Sequence, residues 1–328
     1  MMELDRQKIR MYSLLGSHRT FGQVALELPK INENVVVMVA DQMSPAGLEY
    51  FRDQLPDRFI NIGIAEQNLI GVASGMAKEG MTPFVLAQAT FATGRCFDQI
   101  KINMAYMQLG VKVVGLSAGL SIGQYGATHM SVEDVSLMRS LPNIVILSPA
   151  DCTETAKALM AAAVDPRPTY IRLSGWMNCP IVYKKDYDYQ IGKAITLREG
   201  EDIAIIATGP MVYNSLKAAD MLAEEGLSLK VVDMHTIKPL DTEAIGACLN
   251  AKMIVTAEEH SVIGGLGSAV AEHLAPLAVR PPQLIIGTND KYIKAGDYLY
   301  LQEKFELTPS QIKNRILTTY KKIELWQI

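Results

Sequence analysis

The run VVVMVAD, residues 35–41, constrains this chain more than any other stretch. An unbroken series of β-branched and apolar residues forms a strand buried on both faces, so helices must cover it above and below. The same kind of run recurs as VKVVGL (111–116), IVILS (144–148) and TYIRLS (169–174). Helical patterns fall between these runs, over 64–78, 97–109, 131–140 and 152–164. This alternation predicts an α/β fold with a doubly wound, mostly parallel sheet. GWMNCPIVYKKDYDYQIG, residues 175–192, has a proline, a charge cluster and no period, and marks a boundary. A second set of strands follows: DIAIIATG (202–209), LKVVDM (229–234), KMIVTAEE (252–259) and QLIIGT (283–288). Two doubly wound domains are therefore expected, residues 1–185 and 186–328, which also suits a chain of 328 residues. The last helix should open at TPSQIKN, with Thr308 as N-cap, Pro309 at the first helical position and Gln311 completing a capping box.

Composition excludes several partner classes. The 35 acidic and 31 basic residues nearly balance, which leaves no electrostatic footprint for nucleic acid or an anionic membrane. The four cysteines, Cys96, Cys152, Cys179 and Cys248, form no Cys-x-x-Cys pair. They read as thiols of a reducing cytoplasm, and no metal framework is expected on this chain. No apolar run approaches the ~20 residues that span a bilayer, and the charged N-terminus does not resemble a signal peptide.

RFINIGIAEQNLIGVASGMAKEG, residues 58–80, places a carboxylate, Glu66, at the start of a helix. A favourable charge at a helix N-terminus accounts for it at ~0.3–1 kcal/mol. The neighbourhood points elsewhere. Gly63, Ala65, Gly71, Ala73, Ser74 and Gly75 are small, and Ile64, Leu69, Ile70, Val72 and Met76 make the helix apolar nearly all round. Such a helix should be buried, and a buried carboxylate needs a partner. Lys78 and Arg58 are the candidate partners nearby.

This stretch resembles the signature of the pyrimidine-binding domain of transketolase-type, thiamine-diphosphate-dependent enzymes. PFVLAQATFATGRCFDQIK, GLSIGQYGATHMSVEDVSLMRSLPNIVILSPAD and GGLGSAVAEHLA resemble the same family in the same order, over nearly the whole chain. The resemblance implies a role for each matching residue. Glu66 would hydrogen-bond the aminopyrimidine ring and favour the tautomer that acts as internal base. Phe91 would stack on that ring. Asp41 and Gln88 would lie near the cofactor, Asp41 at the carboxyl end of its strand. His129 would contact the reacting oxygens of the sugar. Glu258, Glu259 and His260 read as structural or interface residues. The GGLG that opens a helix after them would suit a phosphate, but only weakly.

Departures from the family pattern concern the partner and the substrate. The Gly-Asp-Gly motif of the diphosphate-binding domain is absent; AGDYL (295–299) lacks the second glycine. The resemblance thus implies the C-terminal subunit of a split transketolase, with an N-terminal-like partner holding the diphosphate and its Mg2+ or Ca2+, most simply as an α2β2 assembly in the cytoplasm. Ser117 stands where the family has a histidine, Gln124-Tyr125 where it has Glu-Asp, and Gly175 where it has arginine. The family's N-terminal phosphate-contacting arginine aligns with His18 or Arg19. Each lost arginine removes charge-assisted hydrogen bonds of about 1.5–3 kcal/mol. A pocket rebuilt for an unusual or nucleotide-linked sugar is expected; the opposing reading is that Arg19 or Arg95 restores phosphate binding. Two-carbon ketol transfer is the leading activity. The alternatives are a 1-deoxyxylulose 5-phosphate synthase-like reaction, the beta subunit of a 2-oxoacid dehydrogenase, and a non-catalytic supporting subunit.

Overall fold

A computed structural model describes residues 4–174 and 177–326, so Gly175 lies outside the described residues. Two sheets organise them. The first has seven strands: β1 (Val35–Val39), β2 (Phe59–Asn61), β3 (Thr82–Gln88), β4 (Lys112–Leu116), β5 (Val145–Leu147), β6 (Thr169–Arg172) and, from the second half of the chain, β10 (Thr236–Lys238). Their order is β10-β5-β6-β4-β3-β1-β2, and every pairing is parallel except that of β10 with β5. The second sheet holds β7 (Ile195–Arg198), β8 (Ile203–Ala207), β9 (Leu229–Asp233), β11 (Met253–Ser261) and β12 (Gln283–Thr288) in the order β12-β11-β8-β9-β7. It too is parallel apart from its edge strand β7. Every residue of β1, β4, β5 and β6 is buried, as strands covered by helices on both faces must be.

The α/β reading and its eight strands are thus present: β12 keeps the expected bounds, β11 starts one residue later and runs two further, and the other six are trimmed by one to three residues. Four further strands, β2, β3, β7 and β10, are not among those eight runs. β3, at the centre of the first sheet, carries Pro83, which argues against a central strand; yet residues 84–87 behind it are buried. β2, β7 and β10 are three or four residues long and show no period. The helix Arg6–Ala25 is not among the helical patterns of the sequence: Gly16, at φ 80°, kinks it, and no apolar stripe runs along it. At the last helix, Pro309–Trp326, the Thr308 N–H donates to Gln311 Oε1 at 3.3 Å, and its hydroxyl donates to the same oxygen at 2.6 Å. Gln311 therefore closes back on Thr308 as expected, while the threonine hydroxyl serves the side chain instead of the helix backbone.

The helix Glu66–Lys78 departs from the expected all-round burial. Leu69, Ile70 and Ala73 are buried against β3 and the turns that follow it, whereas Ile64 is 76% exposed. Gly71 and Gly75 face open space, with no atom within 4 Å of where a Cβ would sit. Small residues on this face are not needed for packing within the chain.

Candidate active site

β2 ends at Asn61, whose side chain accepts from the Gly63 N–H at 2.9 Å and so shapes the turn into the next helix. Gly63, at φ 78°, completes that turn. The turn delivers Glu66 as the first helical residue, 5% exposed, against Leu69, Ile70, Val85, Ala87 and Cys96. Neither expected partner reaches it. Arg58 donates instead to the backbone carbonyls of Glu33 and Val35. Lys78 lies at the far end of the helix, about 18 Å along its axis. The partner is Arg95, whose Nη1 lies 2.8 Å from Glu66 Oε2. The same guanidinium stands over the ring of Phe91, 4.1 Å from its centroid. Arg95 is aimed by the wide helical turn Phe91–Arg95 after β3, and Gln67 Nε2 fixes its carbonyl at 3.1 Å. Burial first, then the Glu66 charge, pushes the neighbouring Cys96 thiol up to about 12, so it is no nucleophile.

Phe91 extends the cluster to the turn Gly123–Thr128 and the His129 that follows it. His129 meets it edge-on at 5.4 Å between centroids, and Tyr125 lies against His129 at 5.1 Å. Thr128 Oγ1 lies 2.9 Å from His129 Nδ1, which leaves Nε2 for another group. Glu66, Arg95, Phe91, His129 and Tyr125 therefore form one continuous array.

Four of the other expected residues, His18, Arg19, Gln88 and Ser117, line a neighbouring cavity of about 330 Å³ together with Tyr125, whereas Asp41 and Gln124 lie outside it. His18 is committed to the backbone. Its Nε2 accepts from the Ser117 N–H at 2.8 Å, its ring also bonds to the backbone of Leu173, and burial holds its pKa down to about 4. A neutral imidazole with its Nε2 lone pair occupied cannot replace an arginine on a phosphate. Ser117 sits at φ 58°, a strained setting that turns its N–H to His18. Gln88 Oε1 is buried without a partner among the described residues. Gln124 is exposed on the turn Gly123–Thr128. Asp41 is exposed beyond β1 at φ 57°, where it exchanges hydrogen bonds with the Asn61 side chain at 3.2 and 3.3 Å. Arg95, read as a spare phosphate ligand, is engaged by Glu66 and Phe91. The contact spans 29 positions, and the one signal in the sequence was a buried acid without a cation at helical spacing.

The GGLG turn is filled from within the chain. Glu258 accepts from the Leu266 and Gly267 N–H groups at 2.7 and 2.8 Å, filling the N-terminus of the helix Leu266–Leu274 with a carboxylate of the chain itself.

The chain is similar to known proteins over nearly its whole length. Residues 17–175 match the transketolase pyrimidine binding domain, and residues 192–312 match the transketolase C-terminal domain. The chain is 38% identical to the putative transketolase C-terminal section of Methanocaldococcus jannaschii, over 94% of this chain and 97% of that one. It is 40% identical to a 6-deoxy-6-sulfo-D-fructose transketolase subunit from a Clostridium species, over 89% and 91%. A solved split-gene transketolase, described as an inactive β4 tetramer, superposes with a TM-score of 0.85 at 38% identity, over 94% of this chain and 98% of that one. The chain belongs to the transketolase family, as the C-terminal subunit of its split form.

Proposed function

We propose that this chain supplies the pyrimidine side of a thiamine-diphosphate-dependent transketolase, which moves a two-carbon ketol unit from a ketose donor to an aldehyde acceptor. The observation that carries this is the Arg95 guanidinium, a planar group with N–H donors that lies on the Phe91 face and bonds Glu66 at once. An aminopyrimidine is planar and donor-bearing in the same way, so the residues fit it. Bound thiamine diphosphate supplies a nucleophilic carbon that breaks and re-forms a bond beside a carbonyl. Glu66 would share a proton with the ring nitrogen, and its apolar surroundings strengthen that hydrogen bond. Phe91 would hold the ring plane. Because Arg95 takes both contacts, it must swing off them for the ring to seat. His129, edge-on to Phe91 with Nε2 available, would donate to or take a proton from the sugar oxygen. Asp41 and Gln88, at the carboxyl ends of β1 and β3, would flank the cofactor.

The diphosphate and its Mg2+ or Ca2+ would be held by a partner subunit in an α2β2 assembly. A related β chain forming an inactive β4 tetramer agrees with that requirement. For the sugar, we read a pocket rebuilt away from an ordinary terminal phosphate. His18 is withdrawn into the backbone, Ser117 and Tyr125 are uncharged neighbours, and Arg19 is the cation on the cavity wall. A relative that acts on 6-deoxy-6-sulfo-D-fructose is in line with an unusual sugar.

The test is co-purification with the N-terminal-like partner, thiamine diphosphate and Mg2+, followed by a donor and acceptor screen that includes nucleotide-linked sugars. The single subunit is expected to be inactive, the pair to transfer two carbons, and Glu66→Ala to abolish transfer. Unchanged turnover by Glu66→Ala would leave a merely supporting subunit. Efficient turnover of xylulose 5-phosphate with ribose 5-phosphate would refute the rebuilt pocket. Pyruvate decarboxylation would move the chain to the synthase-like or 2-oxoacid reading.

A further inference from the structure

The loop that carries Gln124, Tyr125 and His129 is closed at its base and held from the other half of the chain. Gly119 and Ser131 exchange backbone hydrogen bonds at 2.8 and 3.2 Å, so the loop stands on a two-residue neck. Glu259, near the end of β11 and 1% exposed, grips that neck. Its Oε1 accepts from the Leu120 N–H at 2.9 Å. Its Oε2 accepts from the Tyr298 hydroxyl at 2.5 Å, and Gln302 Nε2 donates to that hydroxyl at 2.9 Å. Arg172 ties the two halves again, donating from Nη2 to the Glu259 carbonyl at 2.8 Å and to the Ser131 carbonyl at 3.3 Å.

Close approach is built in. Gly119 sits at φ 69°, and a Cβ there would lie 2.3 Å from Glu259 Oε1. A Cβ on Gly123 would lie 1.8 Å from Leu301 Cδ1, while the Gly123 carbonyl accepts from the Gly296 N–H at 3.2 Å. Only glycine at both points lets the loop rest this tightly on the second half.

We infer that Glu259, with Tyr298, is a positioning residue for the reaction, setting the Gly119–Ser131 loop so that His129 and Tyr125 stand beside Phe91. The second half of the chain then takes part in catalysis through the loop as well as in assembly. Oriented groups lose much of their effect when they move by as little as 1 Å, so the hold matters for rate. The inference rests on the two-carbon-transfer reading given above.

Hydrogen–deuterium exchange and steady-state kinetics on the assembled enzyme test it together, using Glu259→Ala, Glu259→Gln and Tyr298→Phe. Glu259→Ala should speed amide exchange in the peptides covering 117–131 and leave those of β8 protected. It should lower kcat/KM for the sugars by about a hundredfold without weakening thiamine diphosphate binding measured by titration. Glu259→Gln keeps one acceptor for the Leu120 N–H and should recover part of that loss. Tyr298→Phe should fall between wild type and Glu259→Ala. An unchanged loop, unchanged sugar kinetics, or exchange that rises equally through β8 would overturn the inference. If the wild-type assembly transfers no two-carbon unit, the functional reading fails instead, and the exchange comparison still decides whether Glu259 holds the loop.

Discussion

Glu66 and Arg95 lie 29 positions apart in the chain and 2.8 Å apart in the fold. Glu66, Phe91 and His129 could be read from the sequence because each sits in a linear motif. Arg95 could not, because its contact depends on a wide helical turn that no local pattern announces. The commitment of His18 to the Ser117 N–H was hidden for the same reason, since it crosses 99 positions. The Arg95 placement carries a prediction of opposite signs. Arg95→Ala should lower the stability of the isolated subunit by about 1 kcal/mol, a small loss because the arginine is half-exposed. The same variant should tighten thiamine diphosphate binding to the assembled enzyme, since the ring then displaces nothing from Glu66. Calorimetric melting and cofactor titration check the two halves; weaker cofactor binding would show that Arg95 assists the ring instead of competing with it.

At the scale of elements, runs buried on both faces were legible and edge or interrupted strands were not. β1, β4, β5 and β6 are nearly pure apolar runs, whereas β3 is marked down by Pro83 and β10 has only three residues to show. The helix Glu66–Lys78 misled in another way. Its apolar and small residues suggest burial all round, but Gly71, Val72 and Gly75 face outward. A surface of this kind, ending at the candidate site, suits a partner subunit. Gly75→Leu should therefore leave the melting temperature of the isolated subunit unchanged or slightly raised, because the position is open and glycine is a poor helix former by about 1 kcal/mol. Assembly with the partner, followed by light scattering, should be lost. A variant that melts early, or one that still assembles, would contradict the assignment of this face.

Across the whole molecule the two sheets are joined by buried polar contacts that no sequence pattern displays. β10 leaves the second half to pair with β5. Glu154 accepts from the Tyr187 hydroxyl at 2.9 Å, and Asp233 accepts from the Tyr183 hydroxyl at 2.6 Å. These two acids also bond each other, and burial raises both, Asp233 to about 7. Unfolded, an aspartate titrates near ~3.9. The Asp233 contribution to stability is therefore present at low pH and lost as pH rises from about 4 through about 7. His18 and His235 act in the other direction. Burial lowers both to about 4, so their contribution is present above ~6.5 and lost as pH falls from there through about 4. Asp233→Asn leaves the histidines alone and removes the Asp233 contribution, so between about pH 4 and pH 7 the melting temperature of the variant should climb more, or fall less, with rising pH than that of the wild type. Parallel profiles for variant and wild type would contradict a proton shared across the joint.

The role proposed for Glu66 is to activate a thiamine cofactor bound between this chain and a partner. Its most direct measurement is the rate at which the thiazolium C2 proton of bound thiamine diphosphate exchanges with deuterium, followed by NMR in assemblies carrying Glu66 or Glu66→Gln. Exchange in the Glu66→Gln assembly should be slower by about a hundredfold or more, at equal cofactor occupancy. Equal exchange rates in the two assemblies would contradict it.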